Sequence, residues 1–283
     1  MAPESGHGIN EPGAWRQALE HLKELFAPSG AHLDGMVWMG TDTLLIAAVF
    51  MVAGMVKGIV GLGLPTISMA LLALFMPPAE AAALLVIPSL ITNLWQAGPM
   101  RKLLPILRRI GGMQMGIAAG TLAGAAVLGA PAGSWAAVAL GGALVAYAAW
   151  GFFGKPLLVP ANAEKSMGPL AGALTGVVTA ATGVFVIPAV PYLQALALQR
   201  DDLVQAMGVS FTVSTVALAI GLWFNDSYSI GAVSASVLML APALIGMYAG
   251  QYLRMRLSAQ LFRHCLFVSL AILGGYQIMG HVV

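Results

Sequence analysis

From Thr43 to Val283 the chain is apolar almost without interruption, and very few folds accept that pattern. In water such a surface would aggregate, whereas in lipid it is the solvated surface, provided that every backbone N–H and C=O is bonded within the protein. Consecutive helices meet that condition span by span. Hydrophobic residues make up 59% of the 283 and charged residues only 8%, against about a quarter charged in a soluble domain. A soluble globule is therefore excluded, because its surface would carry too few charges. A net charge of +2 without a concentrated basic face excludes nucleic acid as a partner. Cys265, the single cysteine, rules out an internal disulfide framework and an all-cysteine metal site. The expected fold is an all-α polytopic membrane protein of eight to ten hydrophobic segments, with the lipid bilayer as its principal surrounding.

Charge marks a first boundary near residue 42. Residues 1–42 form an acidic N-terminal extension, with Glu4, Glu11, Glu20, Glu24, Asp34 and Asp42 against Arg16 and Lys23. Within it, Trp15, Ala18, Leu19, Leu22, Leu25 and Phe26 recur at helical spacing, which predicts an amphipathic helix over 14–26, either in the membrane interface or packed on a loop. Downstream, glycine, proline and charge divide the hydropathy into segments at 43–60, 64–76, 81–96, 110–128, 134–153, 167–180, 184–198, 203–223, 230–253 and 259–281. Arg101, Lys102, Arg108 and Arg109 read as one basic loop, and Arg254, Arg256 and Arg263 as another. Such loops normally stay on the cytoplasmic side.

Segments 64–76 and 167–180 are too short to cross about 30 Å of hydrocarbon as straight helices, so they read as half-helices. Their order recurs. Lys57-Gly58-Ile59-Val60-Gly61-Leu62-Gly63-Leu64-Pro65-Thr66 stands where the second half has Thr175-Gly176-Val177-Val178-Thr179-Ala180-Ala181-Thr182-Gly183-Val184, and Gly116 to Gly120 answers to Gly246 to Gly250. This order predicts two homologous modules with broken or re-entrant helices, at 43–153 and 167–283, joined by a linker at 154–166.

Three motifs carry a resemblance. Lys57 to Thr66, Pro77-Pro78-Ala79-Glu80-Ala81-Ala82-Ala83, and Pro88-Ser89-Leu90-Ile91-Thr92-Asn93-Leu94-Trp95-Gln96 resemble the TauE/SafE family, also called the 4-toluene sulfonate uptake permeases, and the likeness runs from about residue 43 onward. The resemblance implies a multi-pass transporter of the bacterial inner membrane, built from two related modules and moving sulfite, sulfonates or other small organic anions. The second glycine motif departs from the family pattern, with Thr179, Ala181 and Thr182 near Gly183 in place of a run of glycines.

The chemistry of these residues points to anion handling on its own account. Gly58, Gly61 and Gly63 permit tight bends, and Pro65 suits the first turn of a following helix, whose leading N–H groups have no intrahelical partner and can face an anion. Thr66 lies in the same turn; Thr179, Thr182 and Gly183 repeat the arrangement ahead of Val184. The same glycines would also serve close helix packing. Lys57 stands within an apolar segment, where a charge is costly unless it meets water, a partner or a ligand, or reaches the interface along its own stem. Thr92, Asn93 and Gln96 fall within about one helical turn, and Ser210, Thr212, Ser214 and Thr215 occupy the comparable helix of the second half. Neutral donors suit an anion that must also leave, although they can equally bond their own helix backbone or join helices. The candidate substrate-binding set is Lys57, Gly61, Gly63, Pro65, Thr66, Thr92, Asn93, Gln96, Thr179, Thr182, Gly183 and Ser210.

No nucleotide-binding motif occurs, so no cofactor and no direct use of ATP is expected. No nucleophile, acid–base pair or metal-ligand cluster gathers within the spans, which sets an intramembrane enzyme behind a transporter; a non-transporting scaffold would need neither Lys57 nor broken helices. Glu80, Arg200, Asp201 and Asp202 stand at segment ends, where Glu80 or Asp202 could serve proton coupling. A homodimer remains open on sequence grounds.

Overall fold

The structure is a computed structural model that describes residues 40–98, 100–154, 157–256 and 258–282. The amphipathic segment expected over 14–26 lies outside the described residues. Those described form ten helices and no strand: α1 (Gly40–Val60), α2 (Leu64–Leu72), α3 (Pro78–Gln96), α4 (Met100–Leu128), α5 (Gly133–Phe153), α6 (Glu164–Thr182), α7 (Ala189–Ala195), α8 (Arg200–Phe224), α9 (Ile230–Arg254) and α10 (Ala259–Val282). Seven of them, α1, α3, α4, α5, α8, α9 and α10, are long and apolar enough to cross a membrane. The protein is thus an all-α polytopic membrane protein.

Two expectations change. Segment 167–180 is no half-helix: α6 extends to 19 residues, about 28 Å at the usual rise. Its first turn draws on Glu164, Lys165 and Ser166, which hydropathy assigns to the segment before it. The other short element is instead α7, seven residues long, against nine in α2. The first basic group is likewise no loop, since Arg101, Lys102, Arg108 and Arg109 all fall inside α4.

Helix directions follow from the register of contacts. Along α4 and α6, Gly116 meets Pro169, Gly120 meets Ala173 and Gly124 meets Val177, so these helices run in the same sense; Gly246 on Met51 and Gly250 on Met55 show the same for α9 and α1. Helix α8 runs with α4, because Gln114 bonds Ser210 while Asn225 bonds the Ala125 carbonyl. Helix α3 runs with α1, because Ile46 and Leu84 near their starts line one cavity while Lys57 and Asn93 near their ends are bonded. Where α3 crosses α8 the sense is opposite: Asn93 meets Thr215, and Gln96 meets Val204. One set, α1, α3 and α9, therefore opposes the other, α6, α8 and α4. Helices α5 and α10 pack antiparallel, with Gly141 against Gly274 and Gly151 against Phe267.

Glycines set the closest of these approaches. A Cβ at Gly54 or Gly58 would overlap the carbonyl oxygen of Ala243 or Met247, and one at Gly246 or Gly250 that of Met51 or Met55. The other pair repeats the arrangement: Gly172 and Gly176 lie on the carbonyls of Met113 and Ile117, Gly116 and Gly120 on those of Pro169 and Ala173. In both pairs, glycines four residues apart on each helix let the two backbones meet directly. Between α9 and α3 a hydroxyl takes over. Pro88 has no N–H to offer the Leu84 carbonyl one turn earlier, and Ser236 of α9 donates to that oxygen at 2.7 Å while accepting from the Ile87 N–H at 3.0 Å.

Candidate functional site

Helix α1 ends because Gly61 adopts a left-handed conformation, φ +81°, with its N–H on the Lys57 carbonyl at 2.7 Å. Gly63, φ +114°, then starts α2, which carries Pro65 in its first turn and no side-chain cap. A side chain at either position would be strained in these conformations. Leu64 to Ala70 are all buried, so the break is enclosed by protein.

Lys57 lies one turn before the break with only 4% of its surface exposed. Its Nζ donates to Asn93 Oδ1, and Asn93 Nδ2 donates to Thr215 Oγ1 at 3.3 Å. The stem does not carry the amine out to the interface; it turns inward to the crossing of α3 and α8, where its bonded partner is a neutral carboxamide. Gln96, one turn beyond Thr92, donates to the Gly61 carbonyl at 2.9 Å and to the Val204 carbonyl at 3.4 Å. Lys57, Gly61, Asn93 and Gln96 are thereby joined in one polar network with α8.

Several hydroxyls around this network have no partner. Thr66 Oγ1 and Ser68 Oγ on α2, Ser89 Oγ one turn before Asn93, Ser214 Oγ beside Thr215, and the Gln96 Oε1 are buried without a hydrogen bond. An unsatisfied buried polar group costs about 1–3 kcal/mol, and these five atoms lie on α2, α3 and α8, the helices of the break and of the crossing. Ser68 and Ser89 were not singled out from sequence, and neither was Gln114, which donates to Ser210 at 2.9 Å. The signal was available: each is a polar side chain in a mostly apolar run.

Other predicted residues bond locally. Thr92 donates to the Pro88 carbonyl at 2.7 Å, Thr179 to that of Thr175 at 2.8 Å, and Ser210 to that of Ala206 at 2.9 Å. Thr182 donates to the Val178 carbonyl at 2.6 Å and accepts from the Val184 N–H at 3.1 Å, so the first amide after the second break is already paired. Gly183 ends α6 with φ +68° and faces the Met69 side chain in the middle of α2. Glu80 and Asp202 stand at the third position of α3 and of α8 respectively, where carboxylates complement the positive end of the helix dipole. No group of three or more His, Cys, Asp or Glu side chains able to hold a metal ion occurs among the described residues.

A buried lysine on a neutral partner, beside a helix break inside an apolar bundle, defines a class: a multi-pass membrane protein with an internal polar cluster. The family is then specific. The model of the sulfite exporter TauE/SafE family matches residues 46–276, and the chain belongs to that family, whose members are transporters. No curated protein and no solved structure matches the chain.

Proposed function

We propose that this protein is a secondary transporter of small sulfur-containing anions, sulfite or sulfonates, working by alternating access in the bacterial inner membrane. Two modules, 43–153 and 167–283, would be related by inverted topology, a reading supported by the opposed senses of α1, α3 and α9 against α6, α8 and α4. The observation that carries the proposal is the burial of Lys57 on a carboxamide instead of a carboxylate. A positive centre with only a neutral partner in an apolar bundle is satisfied best by a visiting anion. Lys57 supplies the charge. The backbone at Gly61, Gly63, Pro65 and Thr66, with the Thr66 hydroxyl, supplies short-range donors and shape, and Thr92, Asn93 and Gln96 with Thr179, Thr182, Gly183 and Ser210 form the surrounding shell.

Purified protein in liposomes tests this with labelled sulfite, thiosulfate and sulfoacetate, and with the net-neutral zwitterion taurine and uncharged analogues as controls. Anions move unchanged and neutral analogues do not; Lys57→Ala abolishes the movement while the protein is still produced. Chemical conversion of the solute would establish an enzyme instead, and absence of both movement and conversion a scaffold. Imposing a pH gradient in the same vesicles tests proton coupling.

A further inference from the structure

The two pairs of glycine-packed helices are equivalent residue by residue, and this exposes a difference between the two ends of the bundle. Gly116 and Gly120 sit on α6 as Gly246 and Gly250 sit on α1, and Gly172 and Gly176 sit on α4 as Gly54 and Gly58 sit on α9. Arg109, seven residues before Gly116, therefore corresponds to Met239, seven before Gly246; Glu164, eight before Gly172, corresponds to Ile46, eight before Gly54. Because α4 and α6 oppose α1 and α9, the two positions lie at opposite ends of the bundle.

At the first end the helices are tied. Arg109 forms a two-pronged pair with Glu164, Nε to Oε2 at 3.0 Å and Nη2 to Oε1 at 2.7 Å, and Nη2 also donates to the Leu196 carbonyl at 2.9 Å. Tyr192 of α7 donates to the Glu164 carbonyl at 3.3 Å. One cluster thus joins α4 to the head of α6 and to the short helix after the second break. At the other end, Ile46 and Met239 line a cavity of about 270 Å³ shared with Leu84, Ser234, Ala235 and Leu238. Ionic and hydrogen-bonded contacts at one end are matched by empty volume at the other.

We infer that the Arg109–Glu164–Tyr192 cluster is the closed gate of one end, and that the cavity at Ile46 and Met239 is the volume that closes when this gate opens. The inference rests on the inverted-module reading. In inverted repeats, the alternate state is reached when the two modules exchange conformations; here that exchange breaks the ion pair between α4 and α6 and brings α1 and α9 together over the cavity. An ion pair suits a gate because it is directional and, at the edge of the bundle, only modestly stabilising. The Arg109 side chain is 41% exposed and that of Glu164 15%, so the pair can be broken and remade within a transport cycle.

The test uses thiol labelling, which needs no substrate. In a Cys265→Ser background, a cysteine replacing Ser234 reports on the cavity by its rate of maleimide modification in liposomes. Glu164→Gln should slow this labelling several-fold, and the charge swap Arg109→Glu with Glu164→Arg should restore it. Unchanged labelling in Glu164→Gln, or no recovery in the swap, overturns the inference. Should Glu164→Gln fail to fold, the cysteine pair Arg109→Cys with Glu164→Cys, joined by a reducible bifunctional thiol reagent, decides the matter. Transport should stop on cross-linking and return on reduction, and full transport while cross-linked overturns the gate. If the unmodified protein moves no anion at all, the transporter reading fails, while the labelling result still decides whether the two ends are coupled.

Discussion

Lys57 and Asn93 form a mutant cycle in which stability and transport part company. Asn93→Leu removes the acceptor on which the buried amine rests, and a buried donor left without its partner costs about 1–3 kcal/mol, more when it is charged. Lys57→Met removes the amine and strands the carboxamide oxygen of Asn93, at about 1–3 kcal/mol. When both partners are replaced by apolar side chains of similar size, neither penalty survives. The double variant should then lie within about 1 kcal/mol of the parent. Taking about 2 °C of unfolding midpoint per kcal/mol for a chain of this size, Asn93→Leu should fall by about 6 °C or more, Lys57→Met by about 2–6 °C, and the double variant by about 2 °C or less. Tryptophan fluorescence on heating in detergent reads these values, and liposome uptake of sulfite reads function in the same preparations. Uptake should be lost in all three variants, including the stable double one. A double variant as unstable as Asn93→Leu would refute the pairing, and one that transports normally would refute the role of Lys57 in the site.

Two further outcomes follow from the packing. Gly58→Leu should prevent α1 from meeting α9, since even a Cβ there overlaps the Met247 carbonyl, whereas Gly142→Ala on the open side of α5 meets nothing within 4 Å and should stabilise by about 1 kcal/mol through helix propensity; size-exclusion profiles and unfolding midpoints compare the two. Ser236→Ala should cost about 1–3 kcal/mol by stranding the Leu84 carbonyl that Pro88 leaves free, measured as a lowered midpoint, and a neutral result would show that the two helices do not depend on this bridge.

Much of the architecture was readable from hydropathy and punctuation, because lipid imposes a single rule on backbone polar groups and the chain obeys it span by span. Each of the ten expected segments overlaps one observed helix. Hydropathy failed where a helix leaves the apolar layer. The first turn of α6 (Glu164, Lys165, Ser166) and the basic stretch of α4 looked like loops, yet a helix emerging into headgroups keeps its hydrogen bonds while its side chains become polar. The inward turn of Lys57 was not decidable either, since snorkelling and burial produce the same local sequence; the difference lies in Asn93, 36 residues away. The partnership of Gln114 with Ser210 depends on α4 lying along α8 and had no local signature.

The equivalence of the helices also sharpens the chemistry. Lys57 precedes Gly58 as Thr175 precedes Gly176, so a fully symmetric protein would carry a second lysine where Thr175 instead donates to the Ala171 carbonyl at 2.7 Å. Asn93 and Thr215, bonded to each other, meet where α3 crosses α8, but only Asn93 reaches an amine. The charge is consequently placed to one side of that crossing, on the break that has free hydroxyls at Thr66 and Ser68, while the break with Thr182 is already paired to its own amide. Two lysines facing one small oxyanion would hold it too tightly for turnover, because release needs binding that is favourable but not deep. In the proposed transporter, a single lysine among neutral donors would keep the well shallow. On the proposed function, the difference between the two glycine motifs would follow from a division of labour, with one module providing charge and the other the surface against which it closes.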